Sequence, residues 1–193
     1  GSGAMGDLLS HVADLVQYVV GPIEEVTALS TIIHAERPIL PMGTGTHFAV
    51  IEDGEMGPVE NDDYGAVLAR FAANSRGPGA VGTLECSRVV VGPQCGLSIE
   101  VYGTEGSATW NFERMNELKL AVGRGGANAG YTTILGNPGM GDYGKFQPGP
   151  GNSMGYDDLK VIEARKFLQS VTQGVAGACT IDDAQSAAEV VSA

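Results

Sequence analysis

Leu97-Ser98-Ile99-Glu100-Val101-Tyr102-Gly103-Thr104-Glu105-Gly106-Ser107-Ala108-Thr109-Trp110-Asn111-Phe112 reads as two extended runs about one tight turn. Leu97, Ile99 and Val101 line one side of the first run, the period of two that marks a strand. Thr104-Glu105-Gly106 turns the chain into a second run over 108–112. So short a connection makes the pair antiparallel, because parallel neighbours need a crossover of a dozen residues or more.

The pattern extends in both directions. Residues 117–122 read as one more strand, the last in this direction. Residues 80–91 alternate up to the break at Gly92-Pro93. Before the turn at Arg76-Gly77-Pro78-Gly79, Val67, Ala69 and Phe71 alternate with Ala66, Leu68 and Arg70. Residues 26–34 are β-branched and unbroken by Gly or Pro, which predicts a strand. Between them, residues 35–61 carry three prolines and an acidic stretch, and predict a long excursion or an ill-formed hairpin.

Helices flank this strand run. Leu8, Val12, Leu15, Val16 and Val19 recur at helical spacing over residues 7–20, and Gly21-Pro22 stops the run. Residues 157–171 predict an amphipathic helix with Leu159, Ile162, Phe167 and Leu168 on its buried side, and Gly174 follows its end. Thr180-Ile181-Asp182-Asp183 opens a third helix, with Thr180 or Asp182 as its N-cap. Residues 123–155 are rich in glycine and predict a functional or mobile loop. The expected fold is α+β: an open, mostly antiparallel sheet with helices on one face, in a single domain over residues 1–193. The other face is expected to serve as an interface between subunits, in a homodimer or homotetramer.

Composition narrows the function. The formal charge is −12, from 23 acidic and 11 basic residues. No basic stripe offsets it, so nucleic acid is not an expected partner. No apolar run approaches the ~18 residues of a membrane span. Cys86, Cys95 and Cys179 form no CxxC pair, which points to reduced thiols in a cytoplasm. His11, His34 and His47 lack metal-ligand spacing relative to the cysteines, so no metal site is expected.

Asp7 and His11 are the sharpest chemical feature. Four residues apart on a helix, they share a face. A carboxylate on one ring nitrogen fixes the tautomer and leaves the other nitrogen to move a proton. The plainer reading makes Asp7 a first-turn acid and His11 a packing residue.

Several stretches together resemble one family. Gly3-Ala4-Met5-Gly6-Asp7-Leu8-Leu9-Ser10-His11-Val12-Ala13-Asp14-Leu15, Gly21-Pro22-Ile23-Glu24-Glu25-Val26, Gly82-Thr83-Leu84-Glu85-Cys86-Ser87-Arg88 and residues 99–107 stand in the order found in the Gfo/Idh/MocA oxidoreductases. The resemblance covers residues 1 to about 120 and, more loosely, the last two helices. It implies the C-terminal, substrate-binding and oligomerising domain of an enzyme that moves a hydride between NAD or NADP and a secondary alcohol of a sugar, cyclitol or polyol. It implies His11 as catalytic acid/base, Asp7 as its partner or proton relay, and a structural role for Asp14 in anchoring a neighbouring loop. It nominates Gln94 on the 92–96 turn, Arg88 and Tyr156 as substrate contacts. Arg88 has a competing reading as the partner of an acid such as Glu85 or Glu100, and Tyr156 as a hydrophobic staple. Trp110 and Phe112 read as sheet core or subunit interface. Leu9 stands where the family usually has glycine.

The family's Glu-Lys-Pro motif and its nucleotide-binding βαβ unit do not occur in this sequence. Gly43-Thr44-Gly45 and Gly123-Arg124-Gly125-Gly126 are the nearest glycine runs, and no helical pattern follows either. Both missing features belong to the family's N-terminal Rossmann domain. The expectation is that this chain begins where that domain ends, is cut again after residue 193, and is inactive alone. The rival expectation is a non-catalytic ligand-binding or dimerisation module, or a regulatory subunit.

Overall fold

The computed structural model describes residues 2–40, 54–74, 79–126, 129–175, 177 and 179–193. The Gly43-Thr44-Gly45 run, His47 and the turn expected at Arg76-Gly77-Pro78 fall outside the described residues. Two compact units form, residues 1–91 with 181–193 and residues 92–180.

In the first unit, a π-helical turn at Met5–Leu9 runs directly into α1 (Ser10–Val19). Gly21, at φ 135°, ends the helical run and leads into β1 (Ile23–Thr31). β1 begins and ends three residues earlier than the β-branched run suggests. β2 (Glu36–Pro38) and β3 (Met56–Pro58) pair as a small antiparallel ladder, so the excursion is a real hairpin at its base. β4 (Tyr64–Phe71) lies between β1 and β5 (Val81–Ser87), antiparallel to both.

Alternation along β4 decides its two faces. Val67, Ala69 and Phe71 are buried, and with Leu84 and Cys86 of β5 they meet Leu9 and Ala13 from the helical run. α3 (Ile181–Ser192) adds Ala187 and the partly buried Val190 and Val191 to the same core. Ser186 Oγ donates to Gln17 Oε1 at 2.9 Å, and Ile23 N–H donates to the same oxygen at 3.3 Å, which ties α3, α1 and β1 together. Leu9 is fully buried in the same core as Ala4, Ala13 and Ala69. Burial of one such side chain contributes about 1.5–3 kcal/mol. The opposite face carries Leu29, Leu68 and Val81, all exposed, beside the Glu25–Arg70 ion pair.

In the second unit β6 (Ser98–Gly103), β7 (Gly106–Asn111), β8 (Glu117–Val122) and β9 (Thr132–Leu135) make a four-stranded antiparallel meander. Gly103 faces Gly106 across a two-residue turn, as the opening motif requires. The architecture is α+β with open antiparallel sheets, but the strand run divides into three ladders among the described residues.

Two expectations need correction here. The glycine-rich stretch is not loop throughout: it contains β9 and a 3-10 turn at Gly141–Lys145. Thr132, Thr133 and Ile134 have strand propensity, but the glycines around them hide the signal. In α2 (Tyr156–Gln173), Leu159 and Ile162 are half-buried, whereas Phe167 and Leu168 are each 60% exposed. Periodicity identifies the apolar side of a helix without saying what covers it.

Candidate functional site

Asp7 sits within the π-helical turn and His11 is the second residue of α1; both side chains are exposed. Such π-turns occur often at functional sites, since the wider turn re-aims the side chains it carries. Ser10 Oγ donates to the Asp7 carbonyl at 3.0 Å. Among the described residues no hydrogen bond or ion pair joins Asp7 to His11, although the two share one helical run. Asp14 is half-buried, and no hydrogen bond or ion pair ties it to a described residue.

Support for this run comes from far along the chain. Ala4 N–H donates to the Asp62 carbonyl at 3.0 Å, and Met5 N–H donates to Asp62 Oδ2 at 2.7 Å. Asp63, fully buried, is the hub beside it. Its Oδ2 accepts from the N–H groups of Ile33 and His34, each at 2.8 Å, and its Oδ1 accepts from Arg88 Nε at 3.0 Å and from Arg37. The His34 N–H above all, followed by that of Ile33 and the two guanidiniums, holds the Asp63 carboxyl down at about 2 against the opposing effect of burial.

Arg88 is therefore anchored to Asp63, with a second bond from Nη2 to Asn61 Oδ1 at 2.8 Å, and not to Glu85 or Glu100. Sequence reasoning missed Asp62 and Asp63. Both act across 25 residues or more, and no local pattern announces that.

Gln94 and Tyr156 belong to the second unit. Gln94 is exposed; its Nε2 donates to its own loop at Gly92 O, 3.3 Å away. Glu113 holds that loop, with Oε1 accepting from Cys95 N–H at 2.9 Å and Gln94 N–H at 2.6 Å, and these bonds lower its pKa. Tyr156 opens α2 and is 55% exposed. It meets Phe112 edge-on at 6.3 Å, and Phe112 meets Trp110 at 6.0 Å. Trp110 and Phe112 are half-buried, and Trp110 Nε1 donates to Met115 O at 3.0 Å.

An open cleft of about 630 Å3 in the first unit is lined by Ser2, Ser30, Thr31, Glu60, Asn61 and Asp62, among others. Neither Asp7 nor His11 lines it. Gly123, Gly125 and Gly126 have positive φ, yet they lead towards a strand, not a helix, and the described sheets are antiparallel. No helix N-terminus directly follows these glycines among the described residues. Among the described residues no cluster of three His, Cys, Asp or Glu could hold a metal ion, and no helix is long and apolar enough to cross a membrane. Cys86, Cys95 and Cys179 are free thiols, and burial pushes that of Cys86 up.

Residues 1–109 match the GFO/IDH/MocA C-terminal domain model. A levoglucosan dehydrogenase from Pseudarthrobacter phenanthrenivorans is 36% identical over 178 residues, covering 90% of this chain and 44% of that protein. The solved structure of a levoglucosan dehydrogenase in complex with NADH and L-sorbose superposes with a TM-score of 0.79 at 32% identity, over 97% of this chain and 46% of that one. An NAD binding oxidoreductase from Klebsiella pneumoniae gives a TM-score of 0.79 at 31% identity, over 100% of this chain and 47% of the other. The chain thus spans a little under half the length of these relatives.

Proposed function

Because the chain belongs to the Gfo/Idh/MocA oxidoreductase family, we propose that it is the substrate-facing half of a dehydrogenase that oxidises a secondary alcohol of a sugar, cyclitol or related polyol. Similarity to levoglucosan dehydrogenases favours sugars within that class and NAD over NADP. The observation that carries the reading is the Asp7-to-His11 run: a π-turn on a fully buried base that holds a carboxylate and an imidazole in the open.

In this reading the His11 imidazole takes the substrate hydroxyl proton as the carbinol carbon is oxidised, and returns it in the reverse direction. Asp7, one turn earlier, orients the imidazole or relays the proton once substrate is bound. Gln94 and Tyr156 would contact hydroxyls of the substrate; Arg88, tied to Asp63, holds the base of the site instead of reaching into it. The nicotinamide supplies the hydride acceptor, and its binding belongs to a Rossmann domain outside these residues, so the isolated chain is expected to be inactive. The exposed Leu29, Leu68 and Val81 face would join subunits into a homodimer or homotetramer. The free thiols suit a cytoplasmic protein.

A non-catalytic ligand-binding or dimerisation module is the second reading, favoured by the lack of an Asp7–His11 hydrogen bond. Nicotinamide reduction by the complete gene product, screened over sugars, cyclitols and polyols, separates the two. Turnover with any of them supports the dehydrogenase. Cofactor-independent sugar binding with no turnover supports the module.

A further inference from the structure

We infer that Asp62 is a positioning residue for the proton-handling pair, an inference that rests on the dehydrogenase reading of His11. The first N–H groups of a helix have no partner within it and need an acceptor from elsewhere. Here Asp62 supplies two, its carbonyl to Ala4 and its carboxylate to Met5, from far along the chain at the entry to β4. A cap from the adjacent residue stabilises a helix but leaves it free to shift on the sheet. A cap from another strand fixes its height and rotation as well. The negative charge also lies at the favourable end of the helix dipole.

The surroundings are built to that contact. Gly3 has φ 69°, and a Cβ there would lie 2.1 Å from Asp62 Oδ1. A Cβ on Gly65 would lie 2.0 Å from Met5 Sδ, so the missing side chain on β4 makes room for the first residue of the π-turn. Asp62 cannot drift, because Asp63 next to it is held by two backbone N–H groups and two arginines. The π-turn that carries Asp7, and His11 one turn on, is thus registered against the sheet through one residue, by its carbonyl and its carboxylate. Displacement of a reacting group by about 1 Å costs on the order of 10²-fold in rate.

The test uses the complete gene product and the substitutions Asp62→Ala, Asp62→Asn and Asp62→Glu. Loss of the acceptor in Asp62→Ala is expected to lower kcat by about 10- to 100-fold with KM for the sugar little changed. It should also shift the limb of the pH–rate profile that His11→Ala abolishes. Asp62→Asn retains an oxygen for the Met5 N–H and is expected to recover most of kcat. Asp62→Glu keeps the charge but moves the acceptor, and is expected to lose activity in a folded protein even if Asp62→Ala does not fold. Amide hydrogen exchange over residues 4–11 reads the anchor without turnover, and should accelerate in Asp62→Ala or, failing that, Asp62→Glu. Unchanged exchange would remove the anchor; equal damage in Asn and Ala variants, or wild-type kcat in either Ala or Glu variant, would overturn the positioning role. An inactive wild type, or full activity in His11→Ala, would instead remove the reading on which it rests.

Discussion

Asp63 offers the best-defined electrostatic perturbation in the molecule. Its carboxyl is held at about 2 against an ordinary 3.8, and each pKa unit corresponds to ~1.4 kcal/mol. The charged form therefore contributes about 2.5 kcal/mol to folding at neutral pH. The folded value lies below the unfolded one, so between pH 2 and 4 the unfolded chain binds more protons. Stability from this group is fully present above about pH 5 and is lost as the pH falls through the folded value of about 2. Asp63→Asn keeps the size and one acceptor but not the charge. Urea unfolding of both proteins from pH 7 down to pH 2, each compared with the other, cancels the remaining carboxylates. The stability gap between them should narrow by about 2 kcal/mol across that range. A gap that stays constant with pH would show that the Asp63 charge is not what holds Ile33, His34, Arg37 and Arg88 together.

Two glycines in left-handed backbone should respond differently to alanine. Gly174 has φ 65° with nothing within 4 Å of a new Cβ, whereas Gly3 has φ 69° and would strike Asp62. In urea melts Gly174→Ala is expected to cost about 1 kcal/mol and Gly3→Ala more than about 2, since strain and collision add. Leu68→Asp places a charge on the exposed sheet face, and should lower the mass measured by light scattering to that of a monomer while the fold persists. An unchanged mass would show that this face does not join subunits.

The hairpin at 98–111 was legible because alternation and a two-residue turn are local, and so were α1, α2 and the stop at Gly21-Pro22. Val67 follows from the alternation along β4, whereas the buried Leu9 and Ala13 lie outside the apolar spacing of Leu8, Val12, Leu15, Val16 and Val19, which are only partly buried or, at Val19, exposed. What escaped the sequence acts at a distance or without a pattern. The two-residue Asp62-Asp63 pair looks like surface charge until Met5, Ile33, Arg37 and Arg88 are brought to it. The π-turn depends on Gly3 and Gly65, which read as ordinary glycines. Strand β9 is four residues long among glycines, too short for a period to emerge. Phe167 and Leu168 have the right spacing for burial, but spacing alone does not supply the surface that would bury them. Asp7 and His11 were readable as a pair on one face, yet the lack of a hydrogen bond between them was not.

The proposed role of His11 is to handle the substrate proton. It is tested most directly by nicotinamide reduction in the complete gene product with its best sugar or polyol substrate, wild type against His11→Ala. Loss of a positioned general base is expected to lower kcat by about 10²- to 10⁴-fold with the fold and oligomer intact. Turnover within a few-fold of wild type would contradict the account and return His11 to the surface of its helix.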